Sequence, residues 1–477
     1  MTNWRWVMCA MLFFATTVNY MDRQVLSLTF KEFIQPEFHW TDSDYGTITG
    51  VFSIAYAIFC LFAGKFIDWM GTKKGYLWAI IVWSLGAIMH AGCGFVTEHI
   101  VGLESKAELL QATGDIVSSI AMISVYLFLA CRLILGLGEA GNFPAAIKVT
   151  AEYFPKKDRA FATALFNAGA SVGALAAPAT IPLLAKSLGW EMAFIIIGAL
   201  GFIWAGIWIF VYDKPTESKH VNEAELEYIH QDEDAKEELK VAHVMKDDDQ
   251  MSFREAFRHK QTWSFAFGKF MTDGVWWFFL FWAPAYFQDQ FGIKASDPQG
   301  IALIFTLYAI VTVVSLFGGY LPKIFVEKHG MEPYAGRMRA MLIFAFFPIF
   351  ALFAQPLGGV WGPWAVAIII GIVGAAHQSW SANIFSTTGD MFPKSAVATI
   401  TGIGAMAGGV GSFLINKGSG MFFTWADGQG SAFSFFGFDG KPAAYMVVFC
   451  ICAVAYLIGW CIMKALVPKY KPIVLED

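Results

Sequence analysis

Long apolar segments, separated by short polar loops, recur along the whole chain. An α-helix needs about 20 consecutive, mainly apolar residues to cross the hydrocarbon core of a bilayer. Segments of this kind lie at residues 5–30, 45–67, 75–96, 117–149, 160–186, 191–212, 261–288, 299–326, 338–355, 360–388, 396–423 and 441–466. The pattern predicts an all-α membrane protein with twelve transmembrane helices. We expect the first segment to be a span and not a signal peptide, because Asp22 and Arg23 lie deep inside it.

Composition favours a membrane protein over several other classes. Of the 477 residues, 57% are hydrophobic and only 15% are charged, against about 25% charged in an ordinary soluble domain. A single water-soluble core does not grow large enough to bury that much apolar surface. A soluble enzyme, a disordered protein and a nucleic-acid-binding protein are therefore disfavoured. The seven cysteines lie inside apolar segments without metal-ligand spacing, so we expect no disulfide framework, no metal and no cofactor.

The basic residues of the short loops predict the orientation of the chain. Lys and Arg number fourteen in the loops of one side and six in the loops of the other side. Cytoplasmic loops of membrane proteins carry the excess of Lys and Arg. We therefore expect both termini in the cytoplasm, as an even number of spans requires.

Two polar segments interrupt the apolar pattern. Residues 213–260 are rich in charge and predict a cytoplasmic linker, helical around 223–239, between a first six-helix bundle at 1–212 and a second at 261–477. Residues 97–116 form a polar insertion on the outer side, for which we expect a short surface helix.

The two halves of the chain repeat each other. Residues 152–156, Glu-Tyr-Phe-Pro-Lys, recur as 390–394, Asp-Met-Phe-Pro-Lys, at an offset of 238. Ala162-Thr163 then recurs as Ala398-Thr399, after a two-residue slip. Two six-span halves in the same orientation resemble the parallel repeat of major facilitator transporters. In such repeats the substrate binds between the halves near the midplane, and access alternates by rocking.

The loop after the second span predicts a gating element. Residues 64–74 fit the superfamily pattern G-x-x-x-D-x-x-G-x-[RK]-[RK], with Gly64, Asp68, Gly71 and Lys73 at its key positions. The glycines permit a tight turn and a close approach of helices. Asp68 can pair with a helix end or a neighbouring Arg and so latch the halves in one state. The alternative is a plain cytoplasmic turn.

Four ionisable residues inside the spans are candidates for function, since charge within a membrane is costly. Asp22 and Arg23 lie in the first span, and Arg132 and Glu139 lie in the fourth. Arg132 and Glu139 are close to two helical turns apart, about 10 Å along the axis, so they face the same way. One interpretation is that ion pairs, Asp22–Arg132 or Arg23–Glu139, only hold the helices together.

The other interpretation of these charges is an anion- and proton-binding site. A guanidinium presents a planar fork that matches a carboxylate, so a substrate anion is drawn to Arg23 or Arg132. A carboxylate that has lost its hydration near that site can bind a proton near neutral pH. Once protonated, it releases its Arg partner to the substrate. These steps predict anion–proton cotransport with Asp22 and Glu139 as proton carriers.

Polar and aromatic residues of other spans are weaker candidates for the substrate site. They are Tyr56, Asn167, Trp276, His377, Gln378 and Asn383. The hydroxyl of Tyr56 can reach a substrate, although a lipid-facing aromatic is the alternative. Asn167 lies in a Gly/Ala-rich stretch that is also typical of helix packing. His377, Gln378 and Asn383 of the tenth span suit the recognition of substrate hydroxyls, although His377 is equally a packing histidine. Trp276 either stacks on a sugar ring or fills apolar space.

Several of these segments resemble a known family. Residues 19–23, Asn-Tyr-Met-Asp-Arg, and 132–144, which contain Gly-Leu-Gly-Glu-Ala and end in Phe-Pro, are similar to the anion:cation symporter branch of the major facilitator superfamily. Further similar stretches are 71–76, 190–196 and 376–399. Within that branch, the chain most resembles the bacterial hexuronate transporters.

The resemblance implies a major facilitator fold and the import of a sugar-acid anion, such as galacturonate or glucuronate, driven by protons. It also implies that Arg23, Tyr56 and Arg132 act in substrate binding and gating, with Arg23 on the carboxylate. Asp22 and Glu139 would then act in proton coupling. We expect a monomer in the lipid bilayer of a bacterial inner membrane.

Other functions remain as alternatives. An organic-anion or organophosphate exchanger of the same fold usually needs paired cations from both halves, and Arg23 faces only Lys269 as such a partner. A membrane sensor would need a larger output domain than the linker at 213–260. An enzyme is the least favoured, because no Ser/His/Asp set, phosphate loop or metal spacing lies outside the spans.

Overall fold

The structure is a computed structural model that describes residues 2–231, 252–392 and 394–473. Its helices are α1 (Trp4–Thr29), α2 (Gln35–Phe38), α3 (Asp42–Met70), α4 (Thr72–Met89), α5 (Cys93–Val101), α6 (Lys106–Gln111), α7 (Ile116–Glu139), α8 (Asn142–Tyr153), α9 (Lys156–Leu188), α10 (Trp190–Val211), α11 (Glu223–His230), α12 (Phe253–Ala256), α13 (Lys260–Phe291), α14 (Pro298–His329), α15 (Pro333–Phe346), α16 (Ala354–Trp361), α17 (Pro363–Met391), α18 (Lys394–Gln429) and α19 (Lys441–Leu466). A π-helical turn, Phe30–Ile34, follows α1, and 3-10 turns lie at His90–Gly92, Phe347–Phe353 and Gly430–Ala432. Strands β1 (Ser434–Phe435) and β2 (Phe438–Asp439) pair antiparallel before α19.

Each predicted span coincides with one long helix or with two or more consecutive helices. The helical membrane fold is therefore confirmed. In the described ranges, ten helical stretches are long and apolar enough to cross a membrane. The two predicted spans that fall short are α1, which carries Asp22 and Arg23, and α13, which carries Lys269 and Asp273. Charged residues lower the apolar character of a helix, and they suit helices that line a polar interior.

The fourth predicted span consists of two helices, α7 and α8, with a break between them. Pro144 lacks the N–H that would bond the carbonyl of Ala140 in a continuous helix. The chain turns instead through Gly141, whose N–H donates to the carbonyl of Gly138 at 3.1 Å. The break places Glu139 at the last position of α7.

Helix ends repeat between the two halves at the offset found in the sequence. Helix α8 ends at Tyr153 and α9 begins at Lys156, whereas α17 ends at Met391 and α18 begins at Lys394. The offset is again 238 residues, although Pro393 of the repeated motif lies outside the described residues. The division into 1–212, 213–260 and 261–477 stays a prediction, and it follows the end of α10 and the start of α13.

The halves approach each other most closely where α3 packs along α18. A Cβ atom at Gly46 would lie 2.6 Å from the carbonyl oxygen of Asn416 and 2.9 Å from the Cα of Gly420. A Cβ atom at Gly409 would lie 2.4 Å from the Cβ of Ala57. Small residues let helix backbones touch inside a membrane. These glycines therefore allow the closed contact between the first and second halves.

The first part of the linker docks onto the first half. The carboxylate of Glu225 on α11 accepts hydrogen bonds from the Thr2 hydroxyl, from the Trp4 N–H at 3.0 Å and from the Arg5 N–H at 3.1 Å. The Arg5 guanidinium adds a salt bridge of 3.1 Å. This segment is therefore bound to the start of α1 and is not simply solvated. Of the predicted helix at 223–239, α11 accounts for Glu223–His230, and 232–251 lie outside the described residues.

We expect the Glu225→Gln variant to loosen this contact at neutral pH. Burial acts to raise the pKa of Glu225, but the donors Thr2, Arg5 and Trp4 hold it below its ordinary value. The stabilisation is therefore present above the ordinary pKa of about 4.3 and is lost as pH falls through the lower folded value. Protection of the α11 amides against hydrogen exchange should fall by up to about tenfold in the variant at pH 7. Glu223→Gln, at an exposed position of the same turn, is the control, and equal protection in both variants would contradict the prediction.

Candidate functional site

The first and last described residues of the chain and the described start of the linker lie at one end of the helical bundle. Arg5, near the start, contacts Glu225 of the linker. Gln261, just after the linker, donates to the carbonyl of Lys471 at 2.8 Å, near the end of the chain. We call this the inner end and the opposite side the outer end.

A buried ion pair between α1 and α7 forms the centre of the first half. The Nε of Arg23 donates to the Oε2 of Glu139 at 2.9 Å, and its Nη2 donates to the hydroxyl of Tyr56 on α3 at 2.7 Å. The side chain of Arg23 is 6% exposed and that of Glu139 is fully buried. Of the two pairings considered from the sequence, Arg23–Glu139 is therefore the one that forms.

Aromatic rings from both halves surround the guanidinium of Arg23. Its carbon lies 4.5 Å from the ring centroid of Tyr56, 5.2 Å from that of Tyr20 and 5.6 Å from that of Trp277. Trp277 lies on α13 and is the contribution of the second half. Ring faces attract a cation within about 6 Å. The site of Arg23 is thus completed across the interface between the halves.

Arg132 and Asp22 lie close to this pair without a hydrogen bond of their own. Within the described part of the chain, the three guanidinium nitrogens of Arg132 have no hydrogen-bond acceptor, although the group lies 5.4 Å from the ring centroid of Phe52. Neither carboxylate oxygen of Asp22 has a hydrogen-bond partner among the described residues. Asp22 and Arg132 are each 2% exposed. Among the described residues, no carboxylate therefore forms a hydrogen bond with the second guanidinium of the site.

A separate polar group lies in the second half, around His377. Its Nδ1 is 2.7 Å from the hydroxyl of Tyr456, and its ring stacks on Trp276 at 5.6 Å between centroids. The hydroxyl of Tyr456 donates to the carbonyl of Thr272 at 3.3 Å. His377 is therefore packed against protein side chains. Of the two adjacent tryptophans, Trp276 contacts His377 and Trp277 contacts the guanidinium of Arg23.

The structure describes no hydrogen bond between the remaining predicted substrate residues and Arg23, Glu139 or Tyr56. Asn383 uses its amide nitrogen to bond the carbonyls of Ser379 at 2.8 Å and Gly318 at 3.3 Å, which ties α17 to α14. Gln378 is half-buried on α17, and Asn167 is exposed on α9. Their roles in binding stay predictions.

Four charged residues join the two halves at the outer end. Lys31 of the π-helical turn contacts Asp42 at 3.1 Å and Asp289 at 2.9 Å, and Lys441 contacts the same carboxylates at 2.5 and 2.6 Å. Lys31 and Asp42 belong to the first half, and Asp289 and Lys441 belong to the second. The hydroxyl of Tyr445 also donates to Asp289 at 2.9 Å. We call Lys31, Asp42, Asp289 and Lys441 the outer ion quartet, and it closes the outer end in this state.

The Asp289→Asn variant should weaken this closure. Both lysines keep Asp42, so the loss should be about 1 kcal/mol, or roughly fivefold in the ratio of closed to open molecules. The ratio is measurable from the distance between nitroxide labels at Ser187 and Gln429, which are exposed at the outer ends of α9 and α18. The control is Asp427→Asn, an exposed carboxylate that lines the cavity of about 470 Å³ beside the quartet. Identical distance distributions in wild type and Asp289→Asn would refute a closing role.

At the inner end, the ion pairs that the structure describes for the predicted gating loop join it to the first half and to the first residue of the linker. Asp68 on α3 accepts from Lys148 on α8 at 2.7 Å, and Lys73 on α4 pairs with Asp213 at 2.8 Å. Gly71 has a φ of 78°, which side chains rarely adopt, so a glycine suits the turn between α3 and α4. A Cβ atom at Gly64 would meet no atom within 4 Å. The latch between the halves stays a prediction for another state.

The outer ion quartet was not predicted from the sequence, and Trp277 was considered there only as a ring that stacks on a sugar or fills apolar space. The quartet residues stand singly at span ends, 11 to 410 residues apart in the chain, and no local pattern joins them. A pair of adjacent tryptophans was visible at 276 and 277. Adjacent residues of a helix point about 100° apart, so the rotation of α13 decides which indole meets Arg23.

Comparisons with known proteins give a family and a set of relatives. The sequence profile described as Major Facilitator Superfamily matches residues 12–415. The chain is 28% identical over 412 residues to a hexuronate transporter of Escherichia coli (strain K12), covering 86% of this chain and 85% of that protein. It is 28% identical over 321 residues to a galacturonate transporter of Dickeya chrysanthemi, covering 67% and 82%.

Solved structures share the fold at low sequence identity. A bacterial homologue of the human lysosomal transporter Spinster, inward-facing and unoccupied, matches with a TM-score of 0.67 at 17% identity, covering 97% of this chain and 98% of that one. A D-xylose–proton symporter matches with a TM-score of 0.62 at 16% identity, covering 99% and 97%.

Proposed function

The chain belongs to the major facilitator superfamily, and from this premise we propose that it imports a hexuronate, such as galacturonate or glucuronate, together with protons. It is an integral membrane protein of a transporter family and not an enzyme. The names of its relatives support a sugar-acid substrate. In this proposal the chain lies in a bacterial inner membrane with both termini in the cytoplasm.

The observation that carries the proposal is the salt bridge of 2.9 Å between Arg23 and Glu139. A carboxylate of the protein occupies the guanidinium that would otherwise bind the carboxylate of a sugar acid. A guanidinium can bind a carboxylate through two parallel N–H donors. Glu139 accepts from the Nε of Arg23 alone, so it does not form this bidentate contact. Substrate and Glu139 therefore compete for the same cation.

Protonation of Glu139 resolves this competition in favour of the substrate. A neutral carboxyl no longer holds Arg23 by charge, so the guanidinium becomes available to the uronate carboxylate. When the proton leaves, Glu139 again attracts Arg23 and displaces the anion. Substrate and proton would thus bind and leave together, which is the requirement for coupled transport.

The neighbouring groups supply further substrate contacts in this proposal. Arg132 offers a second guanidinium without a carboxylate partner in the described residues. Tyr56 already contacts Arg23 and can turn its hydroxyl to the ligand, while Trp277 offers a ring face to the apolar side of the sugar. Asp22, buried beside Arg132, is the second proton carrier. Asn167, Trp276, His377, Gln378 and Asn383 are assigned to the cavity from the sequence.

Alternating access follows from the two ends of the molecule. The outer ion quartet closes the outer end, with all four lysine–aspartate contacts at 3.1 Å or less. The inner loop with Gly64, Asp68, Gly71 and Lys73 would form its contact with the second half when the inner end closes. Opening one set of contacts while forming the other moves the Arg23 site from one side to the other.

Uptake into proteoliposomes tests the proposal. Labelled galacturonate and glucuronate should enter faster when the lumen is alkaline than without a pH gradient, and labelled glycerol phosphate should not enter. A uronate uptake rate that is the same with and without the pH gradient would overturn proton coupling. Entry of glycerol phosphate by exchange against internal phosphate would favour the alternative, an organic-anion or organophosphate exchanger.

A further inference from the structure

The outer insertion at 97–116 has no part in the proposed transport mechanism, yet its helix α6 is firmly bound. The Nζ of Lys106 contacts Glu37 at 2.9 Å and Glu191 at 2.5 Å. The carbonyl of Leu109 lies 2.8 Å from the Nε2 of His39, and Leu109 itself is fully buried. A loop that merely connects two spans would not need such contacts.

Apart from Glu191 on α10, the residues that receive these contacts lie in the segment from the end of α1 to the start of α3. It begins with the π-helical turn Phe30–Ile34 and continues through α2. Single π-helical turns often mark functional positions. His39 follows α2 with a φ of 54°, a left-handed conformation that costs a side-chain-bearing residue about 1 kcal/mol or more. The contact with Leu109 holds that conformation in place.

The opposite side of the same segment faces the second half. Lys31 contributes its two contacts to the outer ion quartet. Glu32 accepts from the hydroxyl of Ser296 at 2.6 Å, and Gln288 donates to the carbonyl of Lys31 at 3.4 Å. The segment therefore lies between the insertion on one side and the second half on the other.

We propose that the outer insertion is a strut that positions the segment 30–39 so that Lys31 and Glu32 reach the second half, and that it thereby sets the stability of the outward-closed state. Lys106, which is bound to Glu37, and Leu109, which is bound to His39, are its positioning residues. Neither residue touches the Arg23 site. The proposal depends on alternating access and not on the identity of the substrate.

The physical reason is the geometry of a short connection. Lys31 lies at the second position of the π-helical turn, and the chain must reverse between α1 and α3 within the twelve residues 30–41. When α6 binds Glu37 and His39 at the far end of segment 30–39, Lys31 is already positioned to contact Asp289. When those contacts are lost, the conformational entropy lost on ordering the segment opposes closure in every transport cycle.

The Lys106→Ala variant tests the strut, with Lys106→Arg as the conservative rescue. Lys186→Ala removes an exposed lysine at the outer end of α9 and is the matched control. The readout is the distance between nitroxide labels at Ser187 and Gln429, attached through a genetically encoded reactive residue so that the native cysteines remain. This measurement needs no substrate, so it stands even if the proposed substrate is wrong.

In Lys106→Ala we expect the ratio of outward-closed to outward-open molecules to fall by about two- to thirtyfold. Lys106→Arg should restore most of the closed population, and Lys186→Ala should leave it unchanged. A distance distribution in Lys106→Ala equal to that of wild type would overturn the proposal. An equal shift in Lys106→Ala and Lys186→Ala would also overturn it, because a general effect of surface charge would then explain the result.

A second readout separates positioning from simple loss of folded protein. A larger outward-open population raises the share of molecules that can bind external substrate, so the apparent KM for uptake should fall in Lys106→Ala. Closure becomes the slower step, so kcat should fall as well. A lower kcat with an unchanged or higher KM would indicate structural damage and count against the strut.

Discussion

Proteoliposomes with the Glu139→Gln variant should lose accumulation against a gradient and keep counterflow exchange. Gln cannot take up or release the coupled proton, and it holds Arg23 without a negative charge. The guanidinium then stays available to the uronate in both orientations, so exchange across the membrane continues. A gradient of two pH units supports about a hundredfold accumulation for each coupled proton, since each unit corresponds to about 1.4 kcal/mol. The variant should bring that ratio down to about one.

The matched control for this prediction is Glu327→Gln. Glu327 is exposed on α14 and lies 3.7 Å from Lys323 one turn earlier, so it resembles Glu139 in type and in having a cationic partner. Uptake by this control should equal that of wild type. Glu139→Gln vesicles that still concentrate the uronate under the pH gradient would remove Glu139 from the coupling mechanism. Loss of both uptake and counterflow would assign Glu139 to substrate binding alone.

The Gly46→Ala variant should shift the protein toward its outward-open state. The added Cβ atom would lie 2.6 Å from the carbonyl oxygen of Asn416 and 2.9 Å from the Cα of Gly420, so the closed contact of α3 and α18 cannot form without a backbone shift. Overpacking of this kind costs about 1–3 kcal/mol. That cost corresponds to a change of about 5- to 150-fold in the ratio of closed to open molecules. Transport should slow accordingly.

Labels at Ser187 and Gln429 report this shift as a longer distance at the outer end. Gly418→Ala is the control, because a Cβ atom at Gly418 on the same helix α18 would meet no atom within 4 Å. It should leave both the distance and the uptake unchanged. A closed population in Gly46→Ala as large as that of Gly418→Ala would show that the close contact of α3 and α18 does not control access.

The charged residues inside the spans show how far sequence reasoning reaches. Asp22, Arg23, Arg132 and Glu139 stand out because few charges occur within apolar segments. Their helical spacing also indicates that Arg132 and Glu139 share a face. The choice between the pairs Arg23–Glu139 and Asp22–Arg132 depends on the relative depth and rotation of α1 and α7. These quantities are set by contacts along both helices and have no local signature.

The inner and outer ends of the molecule also differ in how far their contacts could be predicted from the sequence. The inner loop was predicted with its residues because Gly64, Asp68 and Gly71 form a continuous motif. The outer ion quartet was missed because its residues come from four separate chain segments and meet only when the halves close. The insertion at 97–116 was correctly expected to hold a short helix, α6, but its contacts with Glu37 and His39 bring together residues about 70 positions apart in the chain.

The sequence by itself determined the helical membrane fold and the repeat between its two halves. Each of these depends on apolar length, on proline and glycine, or on similarity between segments, which are properties of neighbouring residues. Only the tertiary structure decided that Glu139 holds Arg23, that Trp277 completes the site and that Lys31 and Lys441 close the outer end. The reason is that contacts between helices depend on how each helix is rotated and how deeply it is placed. Close packing at glycines such as Gly46 and Gly420 sets both.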